Sequence, residues 1–143
     1  MVLCDVSVLL HALFAQSQEH ARCKKELDRL VASGEDFGVS DQVLAAVLRV
    51  GTNPKVFRPP AKVADVFRFV NALLNHRHAV MIRPAQRHWQ IFQDLVETSD
   101  VVAGDTTDAW YAALAIEHGC EWWTTDAHFG RFPGLRQRNL LSR

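Results

Sequence analysis

The chain has 143 residues, 48% of them hydrophobic and 22% charged, and its 16 basic and 16 acidic side chains cancel to a formal net charge of zero. That length suits a single domain over residues 1–143 with a core of its own, the balance is not that of a disordered chain, and a neutral total gives no bulk attraction to nucleic acid. No apolar run approaches the roughly 20 residues of a membrane span, and the opening MVLCDVSVLLHALF carries an acid inside its apolar stretch with no basic start and no cleavage site, so a cytoplasmic protein without membrane attachment is expected.

The chain opens with MVLCD, a short apolar strand that ends at Asp5. VSVLLHALF follows as a helix, and EHARCKKELDRLVASG as a second, amphipathic one stopped by Gly34. DFGVS is a strand leading to Ser40, the expected N-cap of DQVLAAVLRVG, whose Val43, Leu44, Val47 and Leu48 form one apolar face. TNPKVFRPP is loop by its Asn-Pro and Pro-Pro steps. AKVADVFRFVNALLNH is an amphipathic helix, AVMIRP a strand and AQRHWQIFQDLVET another helix. GDTTDAWYAALAIEHG is a helix with Asp105 and Asp108 in its first turn, and CEWWTTD is a strand running into Asp126. NLL near the end reads as a last edge strand. The three cysteines, Cys4, Cys23 and Cys120, have no CxxC spacing, and the first and last sit in apolar runs as small core residues. His76 and His78 read as a solvated loop, and Trp110, Trp122 and Trp123 as core or interface.

Short apolar strands alternating with helices indicate an α/β domain with a mainly parallel sheet. Ligands in such folds bind beyond the carboxyl ends of the strands. Asp5 and Asp126 stand at two such ends, and Asp105 and Asp108 join them if no strand forms between residues 98 and 104. Asp105 reads as the N-cap of its helix, which accounts for one carboxylate and leaves the cluster unexplained. Clustered carboxylates stay ionised only beside a cation, and hard divalent ions such as Mg²⁺ prefer oxygen ligands. One or two such ions activate water for phosphodiester cleavage without a histidine or serine base. Between Glu97 and Asp108 there are four acids and no base, and between Arg131 and Arg143 four arginines and no acid. An acidic patch and a basic tail on a neutral chain suit a polyanionic substrate beside a cation site.

At these residues the chain resembles the PIN-domain ribonucleases, specifically the VapC-type toxins of type II toxin–antitoxin pairs. LCDVSVLL is similar to the family's opening strand, with an aspartate (Asp5) followed two residues later by a hydroxyl or amide residue (Ser7). TDAWYAALAIEHG is similar to its third motif, with Asp108 at the metal-ligand position, and WWTTDAHFGRFPGL to its closing Thr-x-Asp-x-x-Phe motif at Thr124, Asp126 and Phe129. VLAAVLRVGTNPKVF matches the helix and loop that one branch of these toxins carries after the second strand. The resemblance implies a PIN-like three-layer α/β/α fold. It implies an endoribonuclease in which Asp5, Asp108 and Asp126 hold Mg²⁺ or Mn²⁺ and a metal-activated water attacks the scissile phosphate of RNA. It also implies a cognate VapB-type antitoxin laid along the groove, a homodimer, and a hetero-oligomer with the antitoxin.

One position departs from the pattern. Many PIN domains place a glutamate just before a Leu-Arg pair in the second motif, where this chain has Ala46. Asp41 does not replace it, because five residues turn a helix by about 500°, and it suits the helix dipole instead. Asp105 is the candidate to restore the count. Ser7 either bonds Asp5 or caps its own helix, Thr124 either braces Asp126 or simply suits a strand, and Arg49 pairs with a carboxylate, touches RNA or is solvated. A catalytically weak PIN-fold module acting through antitoxin and operator binding is the alternative reading. An aspartate-nucleophile phosphatase wants an acid where Ser7 stands, and a phosphotransfer receiver wants a lysine after a late strand, which is absent.

Overall fold

Five short strands, β1 (Val2–Cys4), β2 (Phe37–Val39), β3 (Ala79–Met81), β4 (Glu121–Thr124) and β5 (Gln137–Asn139), form one sheet in the order β3-β2-β1-β4-β5, and every pair is parallel. Six helices connect them: α1 (Val6–Leu13), α2 (His20–Ala32), α3 (Asp41–Gly51), α4 (Val63–Leu74), α5 (His88–Ser99) and α6 (Asp105–Glu117). This computed structural model describes residues 1–142, so Arg143, the end of the basic tail, lies outside the described residues. The chain winds outward from β1 through β2 to β3, then crosses back to β4 on the other side of β1. Right-handed crossovers therefore carry the first four helices over one face of the sheet and the last two over the other. The packing agrees: α1 lies on α2 and α3, α3 on α4, and α5 on α6. The architecture is the expected α/β/α sandwich.

Local chemistry sets the boundaries. Ser40 caps α3 as expected, its Oγ accepting from Val43 N at 3.4 Å. Gly34, at φ +80°, takes the left-handed turn that carries the chain from α2 toward β2. The core lies between sheet and helices, with Leu3, Val8, Leu114 and Trp122 fully enclosed and all three cysteines buried as free thiols. Trp123 is also buried, and Trp110 packs at the edge of the core.

The last strand departs from expectation. It forms over Gln137–Asn139 rather than at Asn139–Leu141; just past it Leu140 still donates its N–H to the Thr124 carbonyl at 2.9 Å and buries its side chain in the core, 3% exposed. The strand itself is polar and mostly exposed, with the Arg138 guanidinium 5.1 Å over the Trp123 ring.

No strand forms between residues 98 and 104, and that decides where α6 begins. After β3 the chain returns to the amino edge of the sheet. There the Glu117 carboxylate, at the end of α6, accepts from Ala85 N and Arg87 N at 2.8 and 2.9 Å. From that edge α5 climbs alongside the strands. A tight turn reverses the chain, with Asp100 and Ala103 both left-handed at φ 53° and 51°, and α6 descends from the carboxyl edge.

Candidate active site

The strand order reverses between β1 and β4, so their carboxyl ends leave a crevice at the topological switch point. Asp5 follows β1 and Asp126 lies just past β4. The first turn of α6 adds Thr107 and Asp108, and the second half of α3 contributes Ala46 and Arg49. These residues line one open cleft whose wall also includes Tyr111. The sequence-assigned aspartates Asp5, Asp108 and Asp126 are thus brought together.

Asp5 is the most enclosed of the three, at 6% exposure. It occupies the N-cap position of α1 but makes no side-chain cap bond to the helix. Instead the hydroxyls of Ser7 and Thr124 both donate to its Oδ2, at 2.9 and 2.6 Å. Ser7 Oγ also accepts from Thr125 N at 3.2 Å, which ties the turn after β1 to the turn after β4. Burial pushes the Asp5 carboxyl above its ordinary pKa, opposed by the bonds from Thr124 and Ser7 and by the nearby Val6 N–H and reinforced by the charge of Asp126.

Of the two readings of Thr124, the bracing one holds with a change of partner. Its hydroxyl supports the Asp5 carboxylate and meets Asp126 only by accepting from the Asp126 N–H at 3.0 Å. Asp126 caps the 3₁₀ turn at Ala127–Arg131, its Oδ1 accepting from His128 N at 2.9 Å. The capping role expected of Asp105 is not found there. The N-cap of α6 is Gly104, without any side-chain cap bond, and Asp105 is already helical. The Asp105 Oδ2 lies 3.5 Å from Arg131 Nη1 instead.

Asp108 carries the electrostatic burden. Its carboxyl is raised from 3.8 to about 6, first by burial and then by the negative charges of Asp5 and Asp126, with Arg131 opposing. Arg131 Nη2 donates to Asp108 Oδ2 at 3.3 Å. Sequence reasoning missed this arginine as a site residue and placed it in a basic tail. Two more arginines of that tail are engaged: Arg136 donates to the Gly119 carbonyl at 2.6 Å and Arg138 to Glu26 at 3.2 Å. Arg49 is exposed on the cleft wall and has no ion-pair partner among the described residues. Ala46, 2% exposed, lines the cleft where the family pattern has its glutamate. Asp41 lies outside it, accepting from Arg83 Nε at 3.0 Å.

The donor set fits a hard divalent cation. The cleft wall offers carboxylate and hydroxyl oxygens and no thiol, with the His128 ring Nδ1 3.2 Å from Asp126 Oδ1 beside it, and burial together with the charges of Asp5 and Asp126 raises the Asp108 carboxyl. Among the described residues, no three His, Cys, Asp or Glu side chains are already closed around a point that would hold an ion. Asp105 and Asp108 both pair with Arg131, Asp108 through its Oδ2. No helix among the described residues is long and apolar enough to cross a membrane.

Known proteins match this arrangement along almost the whole chain. The PIN domain family model matches residues 2–135. A VapC ribonuclease, Mb2897 of Mycobacterium bovis, is 40% identical over 141 residues, covering 99% of this chain and 96% of that protein. Ribonuclease VapC25 of Mycobacterium tuberculosis is 35% identical over 136 residues, covering 95% and 96%. In fold, the chain superposes on VapBC2 from Rickettsia felis, solved bound to a DNA fragment from its promoter. The TM-score is 0.68 at 16% identity, with 96% of this chain and 98% of that one covered. With its aspartates gathered at the switch point of a five-stranded parallel sheet, the chain belongs to the PIN domain family, within the VapC ribonucleases.

Proposed function

We propose that this protein is the toxin of a VapBC-type pair, a metal-dependent endoribonuclease that cuts RNA and is held in check by a cognate VapB-type antitoxin. The observation that carries the proposal is the cleft itself. Aspartates from three separate chain segments meet there, and the charges of Asp5 and Asp126 help raise the Asp108 carboxyl to about 6. The ribonuclease names of relatives at 40% and 35% identity support the substrate class, and the fold likeness to a VapBC complex suits an antitoxin partner.

Asp5, Asp108 and Asp126 would hold a Mg²⁺ or Mn²⁺ ion. When bound, such an ion supplies water activation and charge neutralisation for phosphodiester cleavage. The chain's own residues do the positioning. Ser7 and Thr124 fix the Asp5 carboxylate by one oxygen and leave the other clear of both hydroxyls. Asp126 is held at Oδ1 by the His128 N–H, which orients the whole carboxylate. Arg49, exposed on the wall without an ion pair, is placed to meet the RNA backbone, whose phosphates supply most of such affinity. A homodimer would present two such clefts.

Purified protein should cleave RNA in Mg²⁺ or Mn²⁺ and lose that activity in EDTA, as read on a gel of labelled transcripts. Cutting that persists in chelator would overturn the metal-dependent reading. Ala46 favours a second reading, a catalytically weak module acting through antitoxin and operator binding, because one expected carboxylate is missing from the wall. Antitoxin and operator binding together with no RNA cleavage at any Mn²⁺ concentration would select it.

A further inference from the structure

Arg131 has the features of a cation built to be exchanged. Its Nη1 and Nη2 reach Asp105 and Asp108 at 3.5 and 3.3 Å, and its side chain is 28% exposed. The guanidinium carbon lies 5.0 Å over the Phe132 ring. Its Nε is buried and has no hydrogen-bond partner among the described residues, so nothing polar fastens the guanidinium except the two carboxylates. Those carboxylates differ. Asp108 lines the cleft with its side chain 28% exposed, whereas the Asp105 side chain is 61% exposed.

We propose that Arg131 is an intramolecular counter-cation that competes with the divalent metal ion for Asp108, and so sets the metal concentration at which the cleft becomes active. The inference rests on the metal reading of the site given above. Like charges within a few ångströms raise each other's free energy, and inside a partly desolvated cleft that cost is greater than in water. The guanidinium and a divalent ion therefore do not share Asp108 at full strength. Asp105 and the Phe132 face give Arg131 somewhere to remain when it yields Asp108, so exchange costs one ion pair rather than two. This gives Asp105 a role that neither capping nor ligation supplies: it retains the displaced arginine. Coupling of this kind is reciprocal, so whatever holds Arg131 on Asp108 weakens metal binding, and bound metal loosens Arg131 by the same factor.

The test is Mn²⁺ titration calorimetry on RNA-free protein: wild type, Arg131→Gln, Arg131→Lys and Asp108→Asn. Arg131→Gln should bind Mn²⁺ roughly two- to fivefold more tightly than wild type, the scale expected for no longer breaking one partly exposed ion pair. Arg131→Lys keeps the charge and should stay near wild type, and Asp108→Asn should lose most of the binding. Equal or weaker binding by Arg131→Gln, with wild type still binding, overturns the competition alone. No Mn²⁺ binding by either protein removes the metal reading and the competition with it. Should Arg131→Gln fail to fold, the Arg131 Nε–H resonance of wild type, followed by NMR during Mg²⁺ titration, gives the same decision. It should shift as the guanidinium leaves Asp108, and an unmoved resonance counts against exchange.

Discussion

At the scale of single residues, Asp105 and Asp108 are separated by what each faces. Asp108→Asn keeps the shape of the side chain and removes a charge that burial, Asp5 and Asp126 all make unfavourable. Cleavage should be abolished while the metal-free fold keeps or gains stability. The pH dependence follows from the direction of the shift. A carboxyl raised from 3.8 to about 6 binds its proton more tightly folded than unfolded, so its contribution is greatest below pH 3.8 and is lost as pH rises through 6. In EDTA, the stability advantage of Asp108→Asn over wild type should therefore grow between those values and level off above them. Urea melts at pH 4, 5, 6 and 7 measure it, and a gap that shrinks with rising pH would contradict the assignment. Asp105→Ala removes an exposed partner of Arg131 and a helix-dipole charge, not a cap, so it should cost less than about 1 kcal/mol. A loss near 2 kcal/mol would restore the capping role.

At the scale of elements, the pair α5 and α6 puts Asp108 on the correct edge of the sheet. The α5 helix lacks a side-chain cap at Arg87, and the turn that leads into it is held from the other helix, where Glu117 accepts the Ala85 and Arg87 N–H groups at once. His88 adds a second tie, its Nε2 3.0 Å from the Trp110 carbonyl and its ring 4.5 Å from the Trp110 ring. Burial by itself would raise the Glu117 carboxyl, but the Ala85 and Arg87 N–H groups outweigh it and hold the pKa below the usual 4.5. Glu117→Gln leaves one acceptor for two donors and should cost about 1–2 kcal/mol at neutral pH. A depressed carboxyl contributes stability that is full above its unfolded pKa and lost as pH falls through the folded value. The difference between wild type and Glu117→Gln should therefore be constant above about pH 5 and close on acidification, which thermal melts across that range would read.

At the scale of the whole molecule, the cleft at the switch point draws together segments far apart in the chain, and that explains what the sequence could and could not reveal. Asp5 and Asp126 were legible because each ends a short apolar strand, where the parallel-sheet rule places both on one edge. Asp108 was legible through its motif and the missing strand before it. Arg131 was not, because it pairs across 23 residues of sequence in a segment that reads as basic surface. The cap of α6 was misassigned because an acid in a first turn suits both the cap and the dipole, and only backbone conformation separates them. The edge strand was shifted because an apolar run signals burial, whereas the strand here is polar and mostly exposed and Leu140, buried in the core, lies just past it. The same long-range arrangement makes metal binding readable as global stability. An ion that binds the folded cleft and not the unfolded chain stabilises by RT ln(1 + [L]/Kd), about 1.4 kcal/mol at ten times Kd. For a chain of this size that raises the melting temperature by roughly 3–6 °C. Wild type should show that rise in Mn²⁺ relative to EDTA. Asp5→Asn and Asp108→Asn should each lose most of it, though Asp5 follows β1 and Asp108 lies in α6. A rise retained in either variant would remove that aspartate from the site, and a rise retained in both would place the bound ion elsewhere on the protein.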